Sequence, residues 1–115
     1  VVPEGSLELV SPLMRLGRLE LRAGRPEAAA GHLREALTLL ESEGDAAAPG
    51  SSAQRRADAE SLLGEALLDA GEVARALPLL ERGAATLVEE LGKDDPRSRA
   101  VRGLLARARG VDAGG

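Results

Sequence analysis

"LGRLELRAGRPEAAAGHLREALTLL", residues 16–40, and "LGEALLDAGEVARALPLLERGAATL", residues 63–87, are two versions of one pattern. Gly17 falls on Gly64, Gly24 on Gly71, Ala29 on Ala76 and Leu33 on Leu80, each pair offset by 47 residues (64 minus 17). Self-similarity at such a period is the signature of a stacked repeat, in which each unit buries its apolar face against its neighbours. A shortened third version, "DDPRSRAVRGLLARARG" (residues 94–110), aligns Leu105 and Ala106 with Leu63 and Gly64 at an offset of 42 (106 minus 64). The five-residue difference is assigned to "GDAAAPGSS", residues 44–52, whose Gly, Pro and Ser content marks a loop.

Within each version the apolar residues recur at helical intervals, as in Leu13, Leu16 and Leu19 with Glu20, or Leu63, Leu67 and Ala70, so each copy is expected to be a pair of helices with an apolar stripe. Gly24 and Gly71 stand where a left-handed residue closes a helix, and Pro26 and Pro96 where a first helical turn lacks an N–H partner anyway. Ser51 and Ser52 are candidate N-caps of the third helix, and Ser11 before Pro12 a cap or kink in the first. Gly17 and Gly64 fall inside helices, where glycine costs about 1 kcal/mol relative to alanine. A close helix crossing explains them: Gly17 is expected to face Ala29, and Gly64 to face Ala76. On that basis Gly64→Ala is tolerated and Gly64→Leu is costlier by roughly 1 to 3 kcal/mol. The expected organisation is a lead-in over residues 1–10, a first helix pair over 11–43, the loop over 44–52, a second pair over 53–92, a capping helix over 93–110 and a disordered tail over 111–115.

Composition agrees with helices. The 115 residues suffice for one domain, and with no Phe, Tyr or Trp and one Met the core must come from Leu, Val and Ala, which suits tightly packed helices better than sheets. Fifteen Lys and Arg against nineteen Asp and Glu give a net charge of -4. A mildly acidic chain without aromatic stacking platforms argues against nucleic acid as a partner. No stretch approaches the roughly 20 apolar residues of a membrane span, so no membrane partner is expected. The absence of cysteine excludes disulfides and thiolate metal sites and fits a cytoplasmic location. His32 is the only histidine, which leaves it a packing role and no metal set. The serines lack a neighbouring base, and no Gly-rich loop follows a strand to hold phosphate. Neither enzymatic activity nor a cofactor is expected. A chain that begins with Val1 rather than Met is expected to be a fragment or processed product.

The Leu-Gly in the first helix of each copy, the Gly at the turn and the Ala followed by a large apolar residue in the second resemble the tetratricopeptide repeat, over about Leu13 to Arg109. "ALPLLERGAATLVEELGKDDPRSRAVRGLLARA", residues 76–108, is similar to the lengthened form found in kinesin light chains and common in bacterial signalling proteins, including C-terminal regions of large serine/threonine kinases. Pro78 is foreign to a helix interior by local rules, yet lengthened repeats often carry proline there. The pattern departs at its aromatic positions, held by Leu13 and Glu60 and by Glu20 and Leu67, and at Asp95, where the lengthened form usually has His. The resemblance, together with an Arg-, Ala- and Gly-rich composition, implies an all-α array of about five antiparallel helices stacked as a short right-handed solenoid in a bacterial protein.

The resemblance also implies a protein or peptide ligand on a concave wall made by the first helix of each pair. The inward positions so implied are Met14, Arg18, Leu21 and Arg22, then Ser61, Glu65, Leu68 and Asp69, with Arg107 in the third copy. The cationic and amide set with which some members clamp a peptide carboxylate is not reproduced. Alignment sets Arg18 against Glu65 and Arg107, and Arg22 against Asp69, so these charges either bind a ligand or form a ladder of ion pairs between repeats. Self-association through the apolar array ends is the alternative function, since a short solenoid needs its end faces covered.

Overall fold

Two turns built alike set the architecture. Arg25 N–H donates to the Glu20 carbonyl (2.8 Å) and Gly24 N–H to that of Leu21 (3.2 Å); 47 residues later Glu72 N–H donates to Leu67 (2.8 Å) and Gly71 N–H to Leu68 (3.0 Å). Gly24 and Gly71 hold φ at +74° and +85°, so both helices end in the same Schellman turn, for which glycine carries no Cβ penalty.

The structure, a computed structural model, describes residues 6–43 and 51–114. A 3-10 turn (Ser6–Leu9) leads into α1 (Val10–Arg22), followed by α2 (Pro26–Glu43), α3 (Ser51–Asp69), α4 (Val73–Leu91) and α5 (Pro96–Gly114), with no strand among the described residues. The chain is therefore all-helical. α1 pairs with α2 and α3 with α4 across the glycine turns, while α2 packs on α3 and α4 on α5. In addition α1 approaches α3 and α3 approaches α5, whereas α2 and α4 do not meet. The odd-numbered helices therefore form the inner wall of the stack and the even-numbered ones splay outside it.

The boundaries differ modestly from expectation. α3 already includes Ser51 and Ser52, α1 starts at Val10 with no side-chain cap, so Ser11 is not one, and α5 runs to Gly114 through most of the expected tail. The lead-in before Ser6 and the loop over 44–50 lie outside the described residues. Pro78 sits on the exposed side of α4, which continues through it. At α5, Asp95 Oδ1 accepts from Arg97 N–H at 2.9 Å, an N-cap just before Pro96. Asp95→Ala is expected to lower stability by about 1 kcal/mol, measured by urea unfolding.

Leu33 and Leu80, and Leu40 and Leu87, are fully buried pairs at the repeat offset. A Cβ built on Gly17 would lie 2.6 Å from Leu33 Cγ, and one on Gly64 2.6 Å from Leu80 Cδ2 and 3.5 Å from the Ala76 carbonyl oxygen. The missing side chains thus make room for the next leucine, sixteen residues on, rather than for the alanine expected opposite. This revises the expectation that Gly64→Ala is tolerated, because Leu80 is locked in the core and cannot step aside cheaply.

The buried face of α1 also differs from the expected leucine stripe. It is Val10, Met14 and Gly17, while Leu16 and Leu19 are 39% and 53% exposed and Leu9 is 52% exposed. The corresponding Leu63 and Ala66 in α3, and Leu105 and Ala108 in α5, are buried. In those helices a preceding second helix, α2 or α4, packs against the first; the first copy has none among the described residues.

Among the described residues each pair has one side-chain polar bridge between its two helices. Glu20 accepts a hydrogen bond from His32 Nδ1 (2.6 Å), joining α1 to α2 near their turn. Arg82 Nε donates to Glu60 (3.0 Å), joining α4 to α3 at the middle of both helices. The half-buried His32 thus has a specific carboxylate partner beyond simple packing.

Candidate interaction groove

The three odd-numbered helices enclose a groove because their shared approach brings one face of each together. Toward α1 it is lined by Arg18, Leu21 and Arg22, opposite Leu62 and Glu65 of α3. Between α3 and α5 it deepens into a slot of about 140 Å³, walled by Leu62, Val101 and Leu104 and rimmed by Asp58, Glu65 and Arg97. Helical spacing produces this arrangement. Residues 58, 61, 62 and 65 of α3, and 97, 100, 104 and 107 of α5, recur every three or four positions and so share a face.

Of the nine residues implied by the sequence, Arg18, Leu21, Arg22, Ser61 and Glu65 line the groove. Asp69 and Arg107 pair with each other at 2.7 Å, so they tie α3 to α5. Met14 and Leu68 do not face the groove: they are 8% and 7% exposed and belong to the core, because the wall of a packed helix turns part of the implied face inward. Ser61 is half-committed to packing, its hydroxyl donating to the Ala57 carbonyl (2.7 Å) beneath Gly83 of α4. Sequence alignment missed Asp58, Leu62, Arg97, Ala100 and Leu104. The last three share the face of Arg107, and extending that face backward along the third copy would have located them.

None of the aligned charge pairs forms among the described residues, and the ion pairs between odd-numbered helices that do form join α3 to α5 through other partners. Asp69 meets Arg107, and Asp58 meets Arg97 at 3.3 Å. Among the described residues no ion pair joins Arg18 or Arg22 to Glu65 or Asp69. These exposed cations instead stand along the open side of the groove.

Burial raises the pKa of Asp58 despite Arg97 and Arg18 nearby, and burial followed by repulsion from Asp69 raises that of Glu65 against the opposing pull of Arg107. A carboxylate whose pKa is higher folded than unfolded binds protons more readily in the native state. Its stabilising contribution is complete below the ordinary carboxylate range and is lost as pH rises through the raised value. Urea unfolding across this acidic window is therefore expected to show a falling limb that Asp58→Asn with Glu65→Gln flattens. An unchanged limb in that variant would assign it to other groups.

No helix among the described residues is long and apolar enough to cross a membrane, and those residues contain no group of three or more His, Asp or Glu that would hold a metal ion. No family model matches the chain, and comparison with curated proteins and with solved structures returns no match either.

Proposed function

We propose that the chain is a protein-interaction module of the tetratricopeptide kind, binding a peptide or partner helix along the groove of α1, α3 and α5. One observation carries this reading: Arg18 and Arg22 line a groove floored by Leu21 and Leu62 and make no ion pair among the described residues, at the wall where such repeats take ligands. The 47-residue repeat and its two matching turns support the family assignment, the Arg-, Ala- and Gly-rich composition supports a bacterial protein, and a sequence without cysteine fits a cytoplasmic one. The role is one of recognition, without chemistry of its own.

The test is a random peptide library panned on the immobilised chain, with selected peptides then titrated against the wild type and an Arg18→Glu/Arg22→Glu variant. Peptides with an acidic residue beside an apolar anchor should be enriched and bind the variant about tenfold more weakly, the effect of losing two exposed pairs, at equal melting temperature. Peptides that bind both proteins alike would reject the groove.

A second reading, self-association, is favoured by Leu16 and Leu19, exposed at register positions where the other two copies are buried, with the exposed Leu9 near them in sequence. In this case α1 of one molecule covers α1 of another about a twofold axis. Sedimentation at two concentrations should then reveal a dimer that Leu16→Lys/Leu19→Lys dissociates, while a single monomeric species throughout would dismiss it.

A further inference from the structure

We propose that the slot between α3 and α5 receives the side chain of a lysine carried by the groove's ligand, its methylenes on Leu62 and Leu104 and its ammonium on Glu65. This rests on the groove being the binding face and adds the chemistry of its ligand.

The charges around the slot are unequal in their partners. Asp58 at one end has Arg97 at 3.3 Å, with Arg18 of α1 adding its field. Glu65, two turns along α3, makes no ion pair among the described residues. Its i+4 neighbour Asp69 repels it, and Arg107 of α5, the cation on that side, already bonds Asp69 at 2.7 Å. Arg18 also borders the slot and Arg22 faces Glu65 from the α1 side of the groove, but neither bonds it among the described residues. Glu65 is thus a half-buried carboxylate with acceptor capacity left over, beside an apolar wall.

The walls and volume select the occupant. About 140 Å³ holds one long side chain, and Leu62, Val101 and Leu104 offer it no hydrogen-bond partner along its stem. A neutral apolar chain would fill this space but strip water from Glu65 without replacing its hydrogen bonds, an unfavourable exchange. An acidic side chain would meet like charge. A lysine supplies an aliphatic stem for the wall and three donors at its tip. The raised pKa of Glu65 fits this: burial disfavours its charged form, which an entering ammonium would restore.

The slot can be probed without knowing the natural ligand. Backbone amide NMR of the whole chain, titrated with n-pentylammonium and with n-pentanol, compares two probes of equal stem that differ in charge. Resonances from residues 61–65 and 100–104 should move with both, and the ammonium should bind about fivefold more tightly, as one partly exposed ion pair provides. Glu65→Gln should abolish that preference and leave pentanol binding unchanged. Glu90→Gln, the same loss of charge at an exposed site on α4, should preserve it. The preference should also fade on acidification through the raised titration of Glu65. Equal binding of both probes, or a preference that survives Glu65→Gln, overturns the proposal. If library peptides bind the groove while the ammonium gains nothing, the slot assignment fails and the interaction module stands. A preference without any groove-binding peptide leaves the slot and removes the module.

Discussion

Leu80→Ala is expected to lower the unfolding free energy by about 3 kcal/mol, within the range for a fully buried leucine, and to invert the effect of a second substitution, Gly64→Ala. Alone, Gly64→Ala recovers about 1 kcal/mol of helix propensity but drives its new Cβ into Leu80 Cγ and Cδ2, 2.7 and 2.6 Å away. Overpacking of that kind costs about 1 to 3 kcal/mol, so the single variant should be less stable than the wild type. In the Leu80→Ala background those two atoms are gone, only ordinary contact with the Ala76 carbonyl remains, and the same substitution should stabilise. Urea unfolding of the four proteins closes the cycle, with an interaction energy of about 2 kcal/mol. Additive effects would mean that the glycine is not a socket for Leu80. Gly103→Ala supplies a reference, since its Cβ would enter open space and propensity alone should apply.

The second large effect concerns Glu60. It is 5% exposed, and its described ion-pair partner is Arg82, which is itself largely open to solvent. Arg82→Ala strands a buried carboxylate, for which a loss of about 2 kcal/mol is expected, below that of a fully buried pair because Arg82 is partly hydrated already. Glu60→Leu, which restores the residue type of Leu13 in the first copy, should leave stability unchanged or raise it, because removing a buried charge also removes its desolvation cost. Thermal unfolding distinguishes the two variants directly. A larger loss in Glu60→Leu than in Arg82→Ala would show that the pair stabilises more than its burial costs.

These expectations mark where the sequence was readable. The turns at Gly24 and Gly71 and the helix starts at Pro26 and Pro96 were legible because a few adjacent atoms decide them. The exposed side of α1 was not. Leu13, Leu16 and Leu19 look like a buried stripe, but the first helix of a stacked pair needs two apolar faces, one for its own partner and one for the preceding pair. Gly17, which carries no side chain to count, belongs to the buried face through Leu33. The groove was partly legible for a related reason. Alignment to a repeat transfers positions one by one, so it gave Arg18 and Glu65 their place, put the core residues Met14 and Leu68 on the wall, and passed over Asp58, Leu62 and Leu104. Which residues of a face remain open depends on the neighbouring helix, and that is a property of packing rather than of spacing.

The two polar bridges carry a consequence for how such a chain assembles. Two halves built on one pattern, with the same turns and the same buried leucines, invite a helix to join the wrong mate, within one molecule or across two during folding. Here the exchange penalises itself: α2 against α3 would set Glu35, the register equivalent of Arg82, beside Glu60, and α4 against α1 would leave Glu20 facing Leu79 in place of His32. Each wrong marriage buries an acid without a donor, so the bridges act as labels that tell one hairpin from its twin.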